Sequence, residues 1–369
     1  MRPHRLFALI PAAALCLAAP AHAGDLVLKT SLKYDALCFV GVLTGDPFYT
    51  GQYTEEYARF SALMTDEDRA AFKEVQRIVK DEGKDLPGPF FTLYLSASGA
   101  ETLEGMQAAL ADPAKLREAF KKTAYYDEND WNTTFDPARP ALIRCLGFLK
   151  RVGFDDIWHK EYEPKILARI HDLDKRIGGA KFLDQQAKLL GFQPVEGRMT
   201  AYLGYFPKPH GIRITGPRYI TSWDYPLDII LRNAVHEPMH PPFQHPDDPA
   251  LWPALAPLKS DAGFMRALEH HDPAFGYNTF EGLVEEDCVQ ALEQIINERI
   301  GVASPAGEHW KRSDGGMHIL AAAIYQLMKD DGYDKRGGSF QAWLTDSKTV
   351  QRLAGHIQTL SDRVITPAR

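Results

Sequence analysis

Cysteine is scarce in this chain, with four residues among 369, and Cys16 lies in the apolar segment at the start. The other three, Cys38, Cys145 and Cys288, are too few and too widely spaced for a disulfide scaffold or a CxxC metal knuckle. One disulfide would leave one thiol unpaired, and Cys288 is expected to be a small buried residue. A disulfide-rich module and a zinc-finger type of site are therefore excluded.

Dense runs of lysine and arginine are also absent. The chain has 42 basic and 49 acidic residues, a net charge of −7. Because an acidic protein repels a phosphate backbone, no nucleic-acid partner is expected. The sequence also lacks a GxSxG elbow, a Walker-type glycine loop and a dinucleotide fingerprint, the local signatures of serine hydrolases, P-loop NTPases and dinucleotide-binding folds.

No apolar run reaches the roughly 20 residues that span a bilayer. Residues 6–19 come closest, but this run is shorter and contains Pro11. Arg2 and Arg5 precede it, and Ala21-His22-Ala23 follows it, which is typical of a secretory signal peptide over residues 1–23. Its removal leaves 40 basic and 49 acidic residues, a net charge of −9. The protein is predicted to be exported, periplasmic or secreted, without stable membrane insertion.

The remaining chain is rich enough in apolar residues, 45% of the total, to bury a large core. Helical periodicity dominates residues 54–190, so residues 24–196 are predicted to form a helical N-terminal lobe. Three β-rich runs, 199–206, 211–215 and 218–223, predict a short antiparallel meander. Residues 197–301 are predicted to be a core with this sheet, and 302–369 a C-terminal helical segment. The fold class is α+β, predominantly helical.

The strongest motif follows the meander, at the end of an amphipathic helix. It reads Val235-His236-Glu237-Pro238-Met239-His240, an HExxH pattern. Two histidines four residues apart lie on one helical face, close enough for both imidazoles to bind one metal ion. A carboxylate beside the first can take a proton from water activated by that ion. The pattern predicts a Zn²⁺ site.

Catalytic zinc takes three protein ligands as a rule, so a third must come from elsewhere. The preferred candidate is Glu281, at the start of a predicted helix that runs to about residue 299. Glu285 lies one turn further and could accept the free ring N–H of a ligand histidine. The alternative is that Glu281 is only a first-turn carboxylate, since Asn278 and Glu281 have capping-box spacing. His245 is a weaker rival for the third ligand.

These residues resemble the gluzincin metallopeptidases, which pair HExxH with a glutamate on a later helix. The matching residues are the motif itself and Glu281-Gly282-Leu283-Val284-Glu285. The resemblance covers residues 199–299, and implies a zincin-like core with flanking helices. It implies that His236, His240 and Glu281 bind zinc, that Glu237 is the general base and that Glu285 supports a ligand.

Pro238 departs from that family's pattern. A proline clashes with the preceding turn of a helix and pushes the residue before it away from helical angles. A kink is therefore expected, which leaves both imidazoles convergent while it re-aims Glu237.

Hydrolysis of a carbonyl also needs a donor for the developing oxyanion. His318 and Tyr325, which lie seven residues apart on a predicted helix, 317–329, are the candidate donors. Tyr277 is a third candidate. The alternative is an amphipathic helix with Tyr325 in the core and His318 at its wet end.

The sequence thus predicts a zinc-dependent hydrolase, most readily a metallopeptidase acting on a peptide or protein. Two alternatives stay open: a zinc-binding protein without catalysis, and a helical interaction protein of the cell envelope. Nothing in the sequence predicts an oligomeric state.

Overall fold

The computed structural model describes residues 24–83, 85–177, 180–240, 251–272, 275 and 277–366. Helices dominate the part before the sheet. They are α1 (Leu32–Leu43), α2 (Pro47–Thr50), α3 (Thr54–Ser61), α4 (Asp66–Val75), α5 (Pro87–Leu95), α6 (Leu103–Ala111), α7 (Pro113–Phe120), α8 (Glu128–Asp130), α9 (Asp136–Arg151), α10 (Phe154–Ile157), α11 (Glu163–Ile177) and α12 (Leu183–Leu190). Three π-helical segments join or extend them: Gln76–Glu82, Trp131–Phe135 and Trp158–Tyr162.

Helices also form most of the described chain after the sheet. They are α13 (Leu227–His236), α14 (Leu251–Leu255), α15 (Ala262–His270), α16 (Phe280–Ile300), α17 (Ala306–Arg312), α18 (Ile319–Asp330), α19 (Tyr333–Arg336), α20 (Phe340–Thr345), α21 (Ser347–Leu353) and α22 (Ile357–Ile365), with 3-10 turns at Glu237–Met239, Ala256–Ser260 and Ser313–Gly316. The prediction of a predominantly helical α+β protein is confirmed.

The sheet has four strands: β1 (Leu26–Lys29), β2 (Met199–Gly204), β3 (Ile212–Ile214) and β4 (Arg218–Ser222), in the order β1-β2-β4-β3. All three predicted strands exist, but the antiparallel meander is wrong. Only β3 and β4 pair antiparallel, whereas β1 pairs parallel with β2 and β2 parallel with β4. Burial explains the order. Strand β4 is buried along nearly its whole length and lies inside the sheet, whereas the three-residue β3 lies at its edge.

Strand β1 belongs to the predicted N-terminal lobe, yet it pairs with β2, which lies beyond the predicted boundary at residue 197. Its register pairs Leu26 with Met199 and Lys29 with Tyr202. The predicted N-terminal lobe therefore contributes a strand to the sheet that precedes the motif helix.

The centre of the second half is α16, a helix of 21 residues that is buried over most of its length. It packs against both α13 and α18, so two of its faces are covered by other helices. Thr279 begins it, since the Thr279 side chain accepts a hydrogen bond from the Gly282 N–H at 3.0 Å. Asn278, the predicted cap, lies one residue too early. Gly301 ends the helix in the left-handed conformation, with φ 77°.

A buried hydroxyl pair ties the helical lobe to the sheet. The Thr215 N–H donates to Ser96 Oγ at 2.9 Å, and the two hydroxyl oxygens are 3.0 Å apart. Arg218 donates from Nη2 to the Ser96 carbonyl at 3.0 Å. The end of α5 is thereby held against the turn between β3 and β4.

The remaining sequence predictions concern cysteines and membranes. Cys38, Cys145 and Cys288 are all buried free thiols, as was expected for Cys288. The predicted signal peptide, residues 1–23, lies outside the described residues. Among the helices described, none combines the length and the apolar character needed to cross a bilayer.

Replacing Ser96 with alanine should lower the free energy of unfolding by about 1–3 kcal/mol, because the buried Thr215 N–H loses its acceptor. Ser98→Ala is the matched control: the Ser98 hydroxyl donates only to the Leu95 carbonyl within the same turn, so its loss should cost less than about 0.5 kcal/mol. Urea denaturation measures both. Equal losses would contradict the role given to Ser96.

Candidate metal centre

The two motif histidines lie where α13 ends. Along this helix Ile230, Leu231, Ala234 and Val235 recur at helical spacing and are buried, which fixes the helix on the core. His236 is its last residue. Its orientation is therefore set by the packing of the turn before it.

Pro238 changes the type of helix but leaves the two motif histidines close together. After His236 the chain continues as a 3-10 turn over Glu237–Met239. The expectation that Pro238 displaces Glu237 from helical angles is wrong, since Glu237 has φ −58° and ψ −37°. The proline lies among the first positions of the tighter turn, and proline is tolerated at such positions. His240 remains one turn beyond His236.

Three side-chain atoms converge beside this turn: His236 Nε2, His240 Nε2 and Glu286 Oε2. The two nitrogens are 2.9 Å apart, and the carboxylate oxygen is 3.6 Å from the first and 3.8 Å from the second. Tetrahedral ligands at about 2.0 Å from one zinc ion would be separated by about 3.3 Å. Shifts of about half an ångström would therefore satisfy a single divalent cation at this point.

Each imidazole has a carboxylate on its other nitrogen. His236 Nδ1 is 2.8 Å from Glu293 Oε2, and His240 Nδ1 is 3.2 Å from Glu285 Oε1. A carboxylate at Nδ1 fixes the ring and leaves Nε2 as the electron-pair donor, which is the usual arrangement around metal-binding histidines. Glu285 thus contacts the histidine pair as its sequence position predicted.

Glu286 is 3% exposed, and its Oε2 has no hydrogen-bond partner among the described residues, whereas Oε1 accepts from Gln290 Nε2 at 2.9 Å. Burial opposes ionisation, but His236 and His240 outweigh it and hold the pKa of Glu286 well below its usual range. A buried anionic oxygen without a donor is costly. A cation between the three atoms would satisfy it, so these residues fit a divalent metal.

Burial lowers the pKa of the His236 imidazole, but the carboxylates of Glu286 and Glu293 together raise it by more. The pKa of His236 therefore lies well above the ordinary value. Metal and proton compete for the same nitrogen.

Glu281, the predicted third ligand, does not belong to this group. It lies in the first turn of α16, with Oε1 3.6 Å from Lys259 Nζ at the surface. Five residues separate it from Glu286, which rotates the two side chains about 140° apart around the helix. Glu286 lies beside the histidines in its place, and both Glu286 and the following Asp287 are buried.

The sequence does contain a signal for this side of α16. Glu286, Gln290, Glu293 and Asn297 follow one another at four, three and four residues within a helix that is buried over most of its length. Such spacing places them on one face. Asn297 Nδ2 donates to Glu293 Oε1 at 2.8 Å. A polar stripe inside a buried helix indicates a functional face, and this stripe meets the motif histidines.

Glu237 lies at the wall of a cavity of about 520 Å³, which Tyr125, Arg213 and Pro238 also line. Its carboxylate fits against Gly211, where an added methyl group would come within 3.2 Å of Glu237 Oε1. The same methyl group would come within 2.8 Å of Asn233 Nδ2, so glycine at residue 211 lets both side chains approach the backbone closely.

A second cavity of about 370 Å³ adjoins the first. Tyr125 and Arg213 line both cavities, and Glu281 and Glu285 line the second. The Arg213 guanidinium lies 4.8 Å from the centre of the Tyr125 ring, a cation–π distance. This pair stands between the cavity of Glu237 and that of Glu285.

His318 is fully buried between two carboxylates. Its Nδ1 is 2.6 Å from Asp287 Oδ1 and its Nε2 is 2.8 Å from Asp314 Oδ2. Burial alone would lower its pKa, but these carboxylates raise the pKa of His318 to about 10. Both ring N–H groups are therefore engaged. The alternative that His318 lies at a wet end is wrong, since the side chain is fully buried, and its role as a donor to an oxyanion stays a prediction.

The other two donor candidates lie on different sides. Tyr325 donates to Glu298 Oε1 at 2.6 Å and packs on Trp310, so it does not belong to the histidine group. Tyr277 packs edge-on against His318, and burial together with the nearby Glu286 carboxylate raises its pKa well above the usual range. Tyr277 is the candidate that the structure brings beside the metal ligands. His245, the rival ligand, lies outside the described residues.

No family model, curated protein or solved structure matches this chain. The functional interpretation therefore rests on the residues of the site itself.

Glu286→Ala should weaken the binding of Zn²⁺ by at least about 100-fold, because one of three ligands is lost. Glu281→Ala should change the affinity by less than about threefold. Competition with a chromophoric chelator at pH 7.5 measures both. A large loss in the Glu281 variant with a small one in the Glu286 variant would restore the ligand set predicted from the sequence.

The pairing of His318 should make stability depend on pH. Its folded pKa of about 10 exceeds an unfolded value of about 6.5, so the stabilisation is full below pH 6.5 and is lost as pH rises to about 10. In chelator-treated protein, His318→Asn should cost about 3–5 kcal/mol at pH 7. The difference from wild type should shrink by pH 10.

Denaturant titrations at pH 6, 7, 8.5 and 10 test this. His171→Asn, which changes an exposed histidine on α11, is the control and should show little effect at any pH. A difference for His318→Asn that stays constant across the series would refute the proposed imidazolium.

Proposed function

We propose that this protein is a zinc-dependent hydrolase, and specifically a peptidase, whose metal is held by His236, His240 and Glu286. The observation that carries the proposal is the convergence of two Nε2 atoms on a buried carboxylate oxygen that has no donor within 3.5 Å among the residues the structure describes. Both imidazoles are also held by carboxylates at Nδ1. This combination is typical of a metal site and is uncommon among histidines that only fill a core.

Zinc is the proposed ion because two imidazoles and one carboxylate are a common ligand set of hydrolytic zinc sites, with a fourth position left for water. When bound, the ion supplies a Lewis acid that brings the pKa of coordinated water to about 7 and polarises a carbonyl. Softer and harder metals favour thiolate or all-oxygen sites instead.

Glu237 is proposed as the general base. It directly follows His236, and its carboxylate lines the larger cavity, where substrate and water can reach it. In the proposed reaction Glu237 Oε accepts a proton from the attacking water and later delivers that proton to the leaving amine. Glu285 and Glu293 keep the imidazoles oriented throughout, because each holds one Nδ1.

The two adjoining cavities are the proposed substrate cleft. They lie between the residues around Tyr125, on the helical lobe, and β3 with the beginning of α16. A peptide in this cleft would pass the Tyr125–Arg213 pair, with Glu237 on one side and Glu285 on the other. Together with the predicted signal peptide, this favours an exported peptidase, periplasmic or secreted.

A zinc-binding protein without catalysis is the second candidate. The packing of the Glu237 carboxylate close to Gly211 favours it, since this contact holds the proposed base against the backbone of the cavity wall. A helical interaction protein is the third, and it predicts no bound zinc. Zinc content per chain, measured by mass spectrometry on the purified protein, separates the third from the other two.

Glu237→Gln should reduce kcat on a hydrolysed peptide by about 10²- to 10⁴-fold, because the proton acceptor is lost, and should leave zinc affinity within about threefold. A peptide library read by mass spectrometry first identifies a cleaved sequence. Glu196→Gln, which removes another carboxylate from the same cavity, is the control and should retain most activity. Zinc bound by the wild type without cleavage of any library peptide would favour the second candidate.

A further inference from the structure

A separate cavity of about 510 Å³ lies between Arg232 of α13 and residues 304–313. Two arginines and a histidine line it, Arg232, Arg312 and His309, together with Glu308 and the two serines Ser304 and Ser313. Its walls are mostly polar and carry more positive than negative charge.

Arg232 has two roles. Its Nε donates to Glu293 Oε1 at 3.2 Å, while the side chain is still 17% exposed at the cavity wall. Glu293 Oε2 is in turn 2.8 Å from His236 Nδ1. One guanidinium is therefore shared between the cavity and the carboxylate that orients a metal ligand.

His309 acts here as a neutral acceptor. Arg232 Nη2 donates to His309 Nδ1 at 3.1 Å, which requires an unprotonated nitrogen. Burial, and the positive charge of Arg232, lower the pKa of His309. The second cation, Arg312, pairs with Glu308 at 2.9 Å where both are well exposed, and such surface pairs are weak and readily exchanged for a better anion.

We propose that this cavity binds a small tetrahedral oxyanion of the sulfate or phosphate type, held by Arg232 and Arg312, and that its occupancy is coupled to metal binding. Arginine presents a planar set of donors that matches such oxyanions, and the serine hydroxyls and a neutral imidazole supply further hydrogen bonds. The anion site stands independently of the proposed hydrolase activity, whereas the coupling rests on the proposed metal site.

The direction of the coupling follows from charge. Arg232 draws electron density from Glu293, which weakens Glu293 as an acceptor for His236. An anion beside Arg232 offsets that positive charge, so Glu293 holds the His236 N–H more strongly and Nε2 becomes a better donor to a cation. Anion and metal should therefore strengthen each other, and by the same factor because binding linkage is reciprocal.

The first test uses metal-free full-length protein and sodium sulfate at constant ionic strength, with chloride as the balancing anion, by isothermal titration calorimetry. Wild type should bind one sulfate saturably. Arg312→Gln should weaken this binding at least fivefold. Lys311→Gln is the matched control, since Lys311 is the neighbouring exposed cation on α17 and does not line the cavity, and it should bind sulfate like wild type.

Saturable binding lost only in the Arg312 variant would support the site. Absence of saturable binding, or equal weakening in both variants, would overturn it, because that result is expected for general charge screening. Sulfate that bound directly to a zinc ion would require added zinc and would not respond to Arg312→Gln, so the metal-free measurement excludes that explanation.

The second test measures Zn²⁺ affinity by chelator competition with and without saturating sulfate. The affinity should rise about fivefold with sulfate in wild type, and sulfate affinity should rise by the same factor with zinc. Arg312→Gln should keep the basal zinc affinity and lose the increase. Equal zinc affinities with and without sulfate in wild type would overturn the coupling while leaving the anion site in place.

Discussion

The centre of this molecule is governed by the cost of burying charge. Helix α16 carries Glu286, Asp287 and Glu293 into the interior, each almost fully removed from solvent. A buried carboxylate without a partner costs several kcal/mol, so every one of these groups requires a positive or donating neighbour. The neighbours come from other elements: imidazoles at the end of α13, Arg232 on the same helix, and His318 at the start of α18. Charge pairing therefore determines how three helices meet.

Two consecutive residues on α16 belong to different groups of paired charges. Glu286 faces the motif histidines, while Asp287, rotated about 100° around the helix, faces His318. The imidazolium of His318 stays within electrostatic range of Glu286 and helps to keep that carboxylate ionised. His236, His240 and Glu286 are thus surrounded by fixed charges, which suits the proposed metal site.

The sequence predicted the part of the site that depends on local spacing. His236 and His240 are one helical turn apart, and this spacing survived the change to a 3-10 turn at Pro238. The structure places Glu286 rather than the predicted Glu281 beside the histidines, because the face of α16 that meets α13 is a property of tertiary packing. Family resemblance favoured Glu281, while the polar stripe that includes Glu286 and Glu293 was the better guide.

The same distinction explains the fold. Helical periodicity is a local signal, and helix capping is local too: the Thr65 side chain accepts from the Asp68 N–H and the Asp68 side chain accepts in return. The strand segments after residue 197 could also be predicted from the sequence. The strand order could not, because β1 comes from a segment some 170 residues before its partner. The turn residues between neighbouring segments predicted a meander, but they carry no information about pairing with a strand so far away in the sequence.

The histidine pair and its orienting carboxylate come from parts of the chain 57 residues apart. The proposed ligands are divided between the end of α13 with the turn that follows it and α16, so an ion held by all three could bind only after the two helices have docked. During refolding, uptake of metal would therefore mark the assembly of the core rather than the formation of its helices, and a bound ion would act as a chemical record that the interior has closed.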